Sequence, residues 1–104
     1  MEGQHYYAVI FSSTLNEENP DYSHMADKME ALAQTMPGFL GFESARGSDL
    51  KGISVSYWQT QQDILHWKTQ SEHLLAQQLG KTNWYKNYQV KICRVERAYE
   101  FNKQ

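Results

Sequence analysis

The chain lacks a second cysteine. Cys93 stands alone, so it has no partner for an internal disulfide and no mate for a paired-cysteine metal site. Long apolar runs are missing too. No stretch approaches the roughly 18 residues that a membrane helix needs, and no membrane partner is expected. Charge of one sign is also lacking: Lys and Arg number 10 against 12 Asp and Glu, a formal charge of −2. Such a chain has no field to draw a phosphate backbone, so no nucleic-acid partner is expected. Gly-x-Gly-x-x-Gly, Gly-x-Ser-x-Gly and His-Glu-x-x-His do not occur, which removes the commonest dinucleotide, hydrolase and zinc-protease signatures. Gly80-Lys81-Thr82 looks like the end of a phosphate loop, but the required first glycine falls on Leu75, and Gly80 reads as a helix C-cap. His66 and His73 would stand about 10 Å apart along a helix, too far for one metal, so no metal site is expected. Met1-Glu2-Gly3-Gln4-His5 shows no basic-then-apolar leader. With the lone cysteine, this predicts a cytoplasmic setting.

What is present is aromatic bulk. In 104 residues, 13% are Phe, Trp or Tyr, more than a core this small needs, so some are candidates for a binding wall. Length predicts a single domain over 1–104. Gln4 to Ser12 is short, β-branched and aromatic, a strand buried on both faces. Thr14 to Pro20 is polar and reads as a loop. Asp21 or Ser23 caps a helix in which Tyr22, Met25, Ala26, Met29, Leu32, Ala33 and Met36 recur at helical spacing. Pro37-Gly38 stops it. Phe39 to Arg46 and Ile53 to Trp58 form an antiparallel hairpin around the turn Gly47 to Gly52. Ile53, Val55 and Tyr57 share one face of the third strand, and Ser54, Ser56 and Trp58 the other. Thr60 to Leu79 is helical, but Lys68 and Glu72 fall among apolar positions, and Thr69-Gln70-Ser71-Glu72 reads as a capping box, so a kink is predicted there. Trp84 to Tyr88 is an aromatic connector. Tyr88 to Val95 is the last strand, with a bulge near Cys93. Tyr99 and Phe101 predict a docked tail.

The order β-α-β-β-α-β is the ferredoxin-like split arrangement. It predicts an α+β fold with a four-stranded antiparallel sheet and two helices on one face. The opposite face would carry Ser54, Ser56 and Trp58 with Phe, Leu and Val of other strands, and no third helix exists to cover it. A homodimer, sheet against sheet, is predicted.

The Gly38–Gly47 block, Ser54–Trp58 and Trp67 read as two strands feeding a helix that carries an aromatic ring to the sheet, a place to line a pocket for a flat molecule. Trp67 is either a core residue or a pocket wall. His73 is either exposed or a hydrogen-bonding acid–base group. Arg46 is a surface charge or faces an anionic oxygen, and Tyr85 plugs the end of the barrel or joins the pocket. Cys93 and the Met25/Met29/Met36 stripe read as packing. Gly38-Phe39-Leu40-Gly41-Phe42 is faintly similar to the aromatic strand motif of RNA-recognition domains, but Pro37 stands where a basic residue belongs.

Tyr7–Phe11, Pro37–Ser44, Ser56-Tyr57-Trp58 with Trp67, and Trp84-Tyr85 through Val95–Tyr99 together resemble the antibiotic-biosynthesis monooxygenase (ABM) domain family of the dimeric α+β barrel superfamily. The resemblance implies a dimeric α+β barrel and a cofactor-independent monooxygenase acting on an aromatic or quinone-like small molecule, with no cofactor. An activated substrate carbanion would itself reduce dioxygen. On this resemblance Trp67 is the helix tryptophan, flanked by Asp63 and His73. Trp67 and Phe39 would be walls, His73 would deprotonate or orient a phenolic oxygen, and Arg46 or Tyr85 would stabilise the anion. Asp63 departs from the family's residue type. The haem-degrading branch places an iron-binding His where this chain has Gln77, so haem is disfavoured. The alternative is a non-catalytic small-molecule-binding or stress-associated module of the same fold.

Overall fold

The computed structural model describes residues 5–16, 20–79 and 85–103. Four strands and two helices alternate as β1 (Tyr6–Leu15), α1 (Pro20–Gln34), β2 (Phe39–Arg46), β3 (Lys51–Trp58), α2 (Gln61–Leu79) and β4 (Tyr85–Val95). The strands form one antiparallel sheet in the order β2-β3-β1-β4. This is the ferredoxin-like α+β fold that the element order predicted.

Strand β1 runs past its expected end at Ser12. Thr14 pairs with both Lys51 and Asn87, and Leu15 is 5% exposed, so tertiary pairing overrides the loop-like composition. Helix α1 starts earlier than an Asp21 or Ser23 cap would allow, at Pro20, whose fixed φ suits a first helical turn; its cap lies outside the described residues. Its buried stripe includes Met25 and Ala33. The helix ends as Thr35 and Met36 N–H donate to the Leu32 and Ala33 carbonyls at 3.0 Å. Gly38 then takes φ +79°, a left-handed turn that glycine adopts without strain.

The second and third strands form the expected hairpin. A bulge at Leu40 sets Phe39 opposite Trp58 and Gly41 opposite Tyr57. The faces of β3 are the reverse of the packing expected from alternation. Ser56 and Trp58 are the buried members, at 5% and 0% exposure, while Ile53 is 46% exposed. Trp58 is enclosed under the helices with Ala33 and Ile64. Its Nε1 donates to Ser56 Oγ at 2.9 Å, which satisfies the buried polar pair. The core gathers Trp58, Ala33 and Ile64 with Tyr7, Val9, Met36, Phe39 and Trp67.

Helix α2 is continuous over 19 residues, without the predicted kink. The polar side chains that suggested a break are absorbed locally. Thr69 Oγ1 donates to the Leu65 carbonyl at 3.2 Å and Ser71 Oγ to that of Lys68 at 3.1 Å. Lys68 and Glu72 pair at 3.5 Å on the exposed side, an i,i+4 contact that supports a straight helix. Strand β4 begins at Tyr85, not Tyr88, and is regular through Cys93, which pairs with Ala8. The irregularity lies instead between Asn87 and Tyr85, opposite Thr14 and Leu15. Val95 pairs with Tyr6 on the face away from the helices, so its parity needs no bulge at Cys93. Cys93 itself is exposed, not a core residue. Tyr99 and Phe101 are 86% and 85% exposed, so the tail does not dock on its own chain. Gly80 and Trp84 lie outside the described residues.

No described helix is long and apolar enough to cross a membrane, and the described residues contain no cluster of three or more potential metal ligands.

A half-covered aromatic trough as candidate functional site

Register assigns the side chains to faces. Tyr7, Val9, Phe11 and Ser13 of β1 lie in rows with Trp58, Ser56, Ser54 and Gly52 of β3 and with Arg94, Ile92, Val90 and Tyr88 of β4. Trp58 is under the helices, so this whole set faces the helix side. Helix α1 packs on β2 and α2 on β3. The β4 end of the same face keeps Tyr88, Val90 and Ile92 at 60%, 51% and 52% exposure. The result is an apolar trough, roofed on one side and open along β4.

Rings occupy both ends of it. At one end Trp58 stacks on Trp67 with centroids 5.5 Å apart and 26° between planes, and meets Phe39 edge-on at 5.5 Å. At the other end Phe11 stacks on Tyr88 at 5.3 Å and meets Tyr85 edge-on at 5.4 Å, and Tyr85 contacts Tyr88 at 5.7 Å. The Tyr7 and Phe11 rows lie about 13 Å apart along the strand. A hollow of about 490 Å³ touches Tyr7, Gln61, Ile92 and Arg94, and a second of about 410 Å³ touches Ser13, Gly52 and Tyr88; both open to solvent.

The candidate residues separate into two groups. Phe39 and Trp67 meet around Trp58, as the aromatic block suggested. Arg46 and Tyr85 lie toward the far end. The Arg46 guanidinium donates Nη2 to Ser13 Oγ at 2.6 Å and Nη1 to the Leu50 and Ser13 carbonyls at 2.6 and 3.3 Å. It lies flat over Gly52, where a Cβ would come within 2.5 Å of Cζ. It thus ties the hairpin turn to β1 and forms a cationic floor beside the Ser13 hollow. Asp63 belongs to the α2 cap. Its N–H donates to Thr60 Oγ1 at 3.0 Å, and that hydroxyl donates back to Asp63 Oδ2 at 2.8 Å. An acid there also suits the positive end of the helix dipole. His73 is exposed. On an unbroken helix it stands about 120° round from Trp67, so the two do not share a face.

Phe11, Tyr88, Val90 and Ile92 are the residues that sequence reasoning misses. The signal available is the alternation Tyr88/Val90/Ile92 in the last strand, which a reading in terms of core alone absorbs.

On the opposite face Tyr57 Oη donates to Glu43 Oε1 at 3.0 Å, with the Tyr6 ring 6.1 Å away. The hydrogen bond to Glu43 and, secondarily, burial raise the phenol above its usual value near 10. A raised phenol favours the folded state below pH 10, and that contribution is lost as the pH climbs through the folded value. Tyr57→Phe removes the titrating group. Urea midpoints taken across pH 9 to 11 are therefore expected to fall less steeply in the variant than in the wild type.

The family model for antibiotic biosynthesis monooxygenase matches residues 6–79, and the chain belongs to that family. It is 45% identical over 96 residues to the uncharacterised protein YqjZ of Bacillus subtilis, covering 92% of this chain and 84% of that one. It is 24% identical over 101 residues to the jasmonate monooxygenase ABM of Pyricularia oryzae, covering 92% of this chain but 46% of that enzyme. Among solved structures, a mutant form of SnoaB, a cofactor-independent oxygenase from Streptomyces nogalater, superposes with a TM-score of 0.75 at 10% identity, covering 89% of this chain and 95% of that one.

Proposed function

We propose that this protein is a cytoplasmic homodimeric monooxygenase that oxidises an aromatic or quinone-like small molecule without metal or organic cofactor. The observation that carries the reading is the trough, a half-roofed apolar surface with rings at both ends and a guanidinium beside one of them. The oxygenases among its relatives and structural neighbours support it. In the balanced reaction a ring CH₂ and O₂ give C=O and water. The substrate is deprotonated, its carbanion supplies the electrons, and dioxygen receives them. Trp67 and Phe39 form the flat wall that excludes water, and Arg46 with Tyr85 lowers the energy of the anionic oxygen. His73 serves as proton acceptor only for a substrate that reaches past α2 to solvent.

A second reading is favoured by one observation. The Arg46 donors already hold Ser13 and Leu50, and His73 is turned from Trp67, so no acid–base pair is assembled in the trough among the described residues. On that reading the same surface binds without turnover.

Oxygen uptake on a panel of polycyclic phenols and anthrones, with ligand quenching of tryptophan fluorescence in parallel, separates the two. The enzyme reading expects uptake that falls at least tenfold in Trp67→Ala. Quenching without uptake supports the binding module, and neither signal overturns both. An unchanged rate in His73→Ala removes that residue from the site.

A further inference from the structure

Register carries one aromatic row of the trough on to a charged end. Phe39 of β2 pairs with Trp58 of β3, Trp58 with Tyr7 of β1, and Tyr7 with Arg94 of β4. Three rings in a row therefore end in a guanidinium at the sheet edge, on the helix side. Arg94 and Tyr7 line one hollow together with Gln61 of α2 and Ile92. The guanidinium is set in place by its own strand. Its Nε donates to Glu96 Oε2 at 2.6 Å, and the other carboxylate oxygen lies 3.6 Å from His5 Nε2. Only the Nε donor is engaged: among the described residues both Nη groups are without a hydrogen-bond partner. Glu96 is the one acid lining this hollow among the described residues, and its two oxygens are already turned to Arg94 and His5. Arg46 is out of reach. The Ser13 row that it holds lies about 20 Å along β1 from the Tyr7 row, and its Nη groups already donate to Ser13 and Leu50.

We infer that Arg94 is the recognition residue at the Trp67 end of the trough, and that the molecule bound there is a flat aromatic acid whose carboxylate takes the Nη edge. The inference rests on the trough being a binding surface, as proposed above, and adds the chemical group its ligand carries. The planar Nη edge presents two parallel N–H groups, which match the two oxygens of a carboxylate. A phenol or an amide carbonyl offers that edge a single oxygen. The row also sets the ligand's size. Arg94 is one strand spacing from Tyr7 and two from Trp58, about 5 and 10 Å. A carboxylate bonded directly to a system of two or three fused rings reaches Arg94 while the rings stay against Tyr7 and Ile92.

The test is quenching of tryptophan fluorescence, near neutral pH and at low salt, by 2-naphthoate and by 2-naphthamide, a neutral molecule of the same shape. The wild type is expected to bind the acid about three- to fivefold more tightly than the amide, the scale of a half-exposed ion pair. High salt is expected to erase most of that difference. Arg94→Gln is expected to bring the ratio to about one, by weakening the acid and leaving the amide unchanged. Arg94→Lys keeps the charge without the fork and is expected to fall between the two. The Arg94 side chain is more than half exposed, and far-ultraviolet circular dichroism confirms that the variants fold. Equal binding of acid and amide by the wild type, or a preference that survives Arg94→Gln, overturns the assignment of Arg94. Quenching by neither molecule overturns the trough as a binding surface, and this inference with it. Oxygen uptake does not enter the test, so binding without turnover counts against the monooxygenase reading alone.

Discussion

Trp58→Ala is expected to lower the melting temperature by roughly 15–30 °C. The ring has no exposed surface and stands at the meeting point of Ala33, Ile64, Phe39 and Trp67. Truncating a buried aromatic residue removes about 3–5 kcal/mol, transfer and cavity terms together. In a domain of this length each kcal/mol moves the midpoint by about 4–8 °C. Total stability for small domains is only about 5–15 kcal/mol, so one position holds a large part of it. Trp58→Phe is expected to fall between the two, because it keeps an aromatic contact with Trp67 but strands the Ser56 hydroxyl that now receives Nε1–H. Trp67→Ala is expected to lose less, since its ring is only half-buried and one face is already given to Trp58. Thermal melts of the three variants check the order. A Trp67→Ala loss equal to that of Trp58→Ala would make Trp67 a core residue and remove it from the trough wall.

The second large effect is expected at Gly38. Its φ of +79° is one that a side chain with a Cβ adopts only under strain, about 1–2 kcal/mol. A Cβ there would also overlap the Asp63 carboxylate. The same turn is pinned from the far side, where Gln59 N–H donates to the Gly38 carbonyl at 2.9 Å, so it cannot move off freely. Gly38→Ala is expected to lose about 2–4 kcal/mol, at the upper end of what a single strained backbone position contributes. Asp63→Ala alone is expected to lose about 1 kcal/mol as a weakened cap. In the double variant the carboxylate is gone and only the Cβ of residue 63 still crowds the new side chain, at 2.9 Å, so the combined loss is expected to be smaller than the sum by about 1 kcal/mol. Urea denaturation of the four species closes the cycle. Strict additivity would mean that the carboxylate swings clear and that only the backbone conformation matters.

The fold is legible in the sequence because its signals are local. Alternation in 39–46 and 53–58, the helical spacing from Met25 to Met36 and the Pro37-Gly38 stop each point to one element, and their order leaves one common topology. The departures share a cause. Thr14 and Leu15 look like loop until β3 and β4 pair with them. Thr69 and Ser71 look like a break until their hydroxyls bond the preceding turn. Trp58 looks free for the open face because alternation gives two faces without saying which the helices cover. Of the candidate site, the clustering of Phe39 and Trp67 around Trp58 is legible, because both are rings near a turn. The β4 end is hidden, because the exposure of Val90 and Ile92 depends on how far α1 and α2 reach across the sheet. His73 stands beside Trp67 only on a kink that the helix does not have.

The strand order also bears on how the chain is made. Of the four strands, the one made earliest is an interior one, and Tyr7 must wait for Trp58 on one flank and Arg94 on the other. At about 5–20 residues per second, the interval between Tyr7 and Arg94 is roughly 4–17 s of synthesis. Throughout it, Tyr7, Val9 and Phe11 have no finished sheet to enter, and nascent chains truncated before β4 are the species for which chaperone capture matters most.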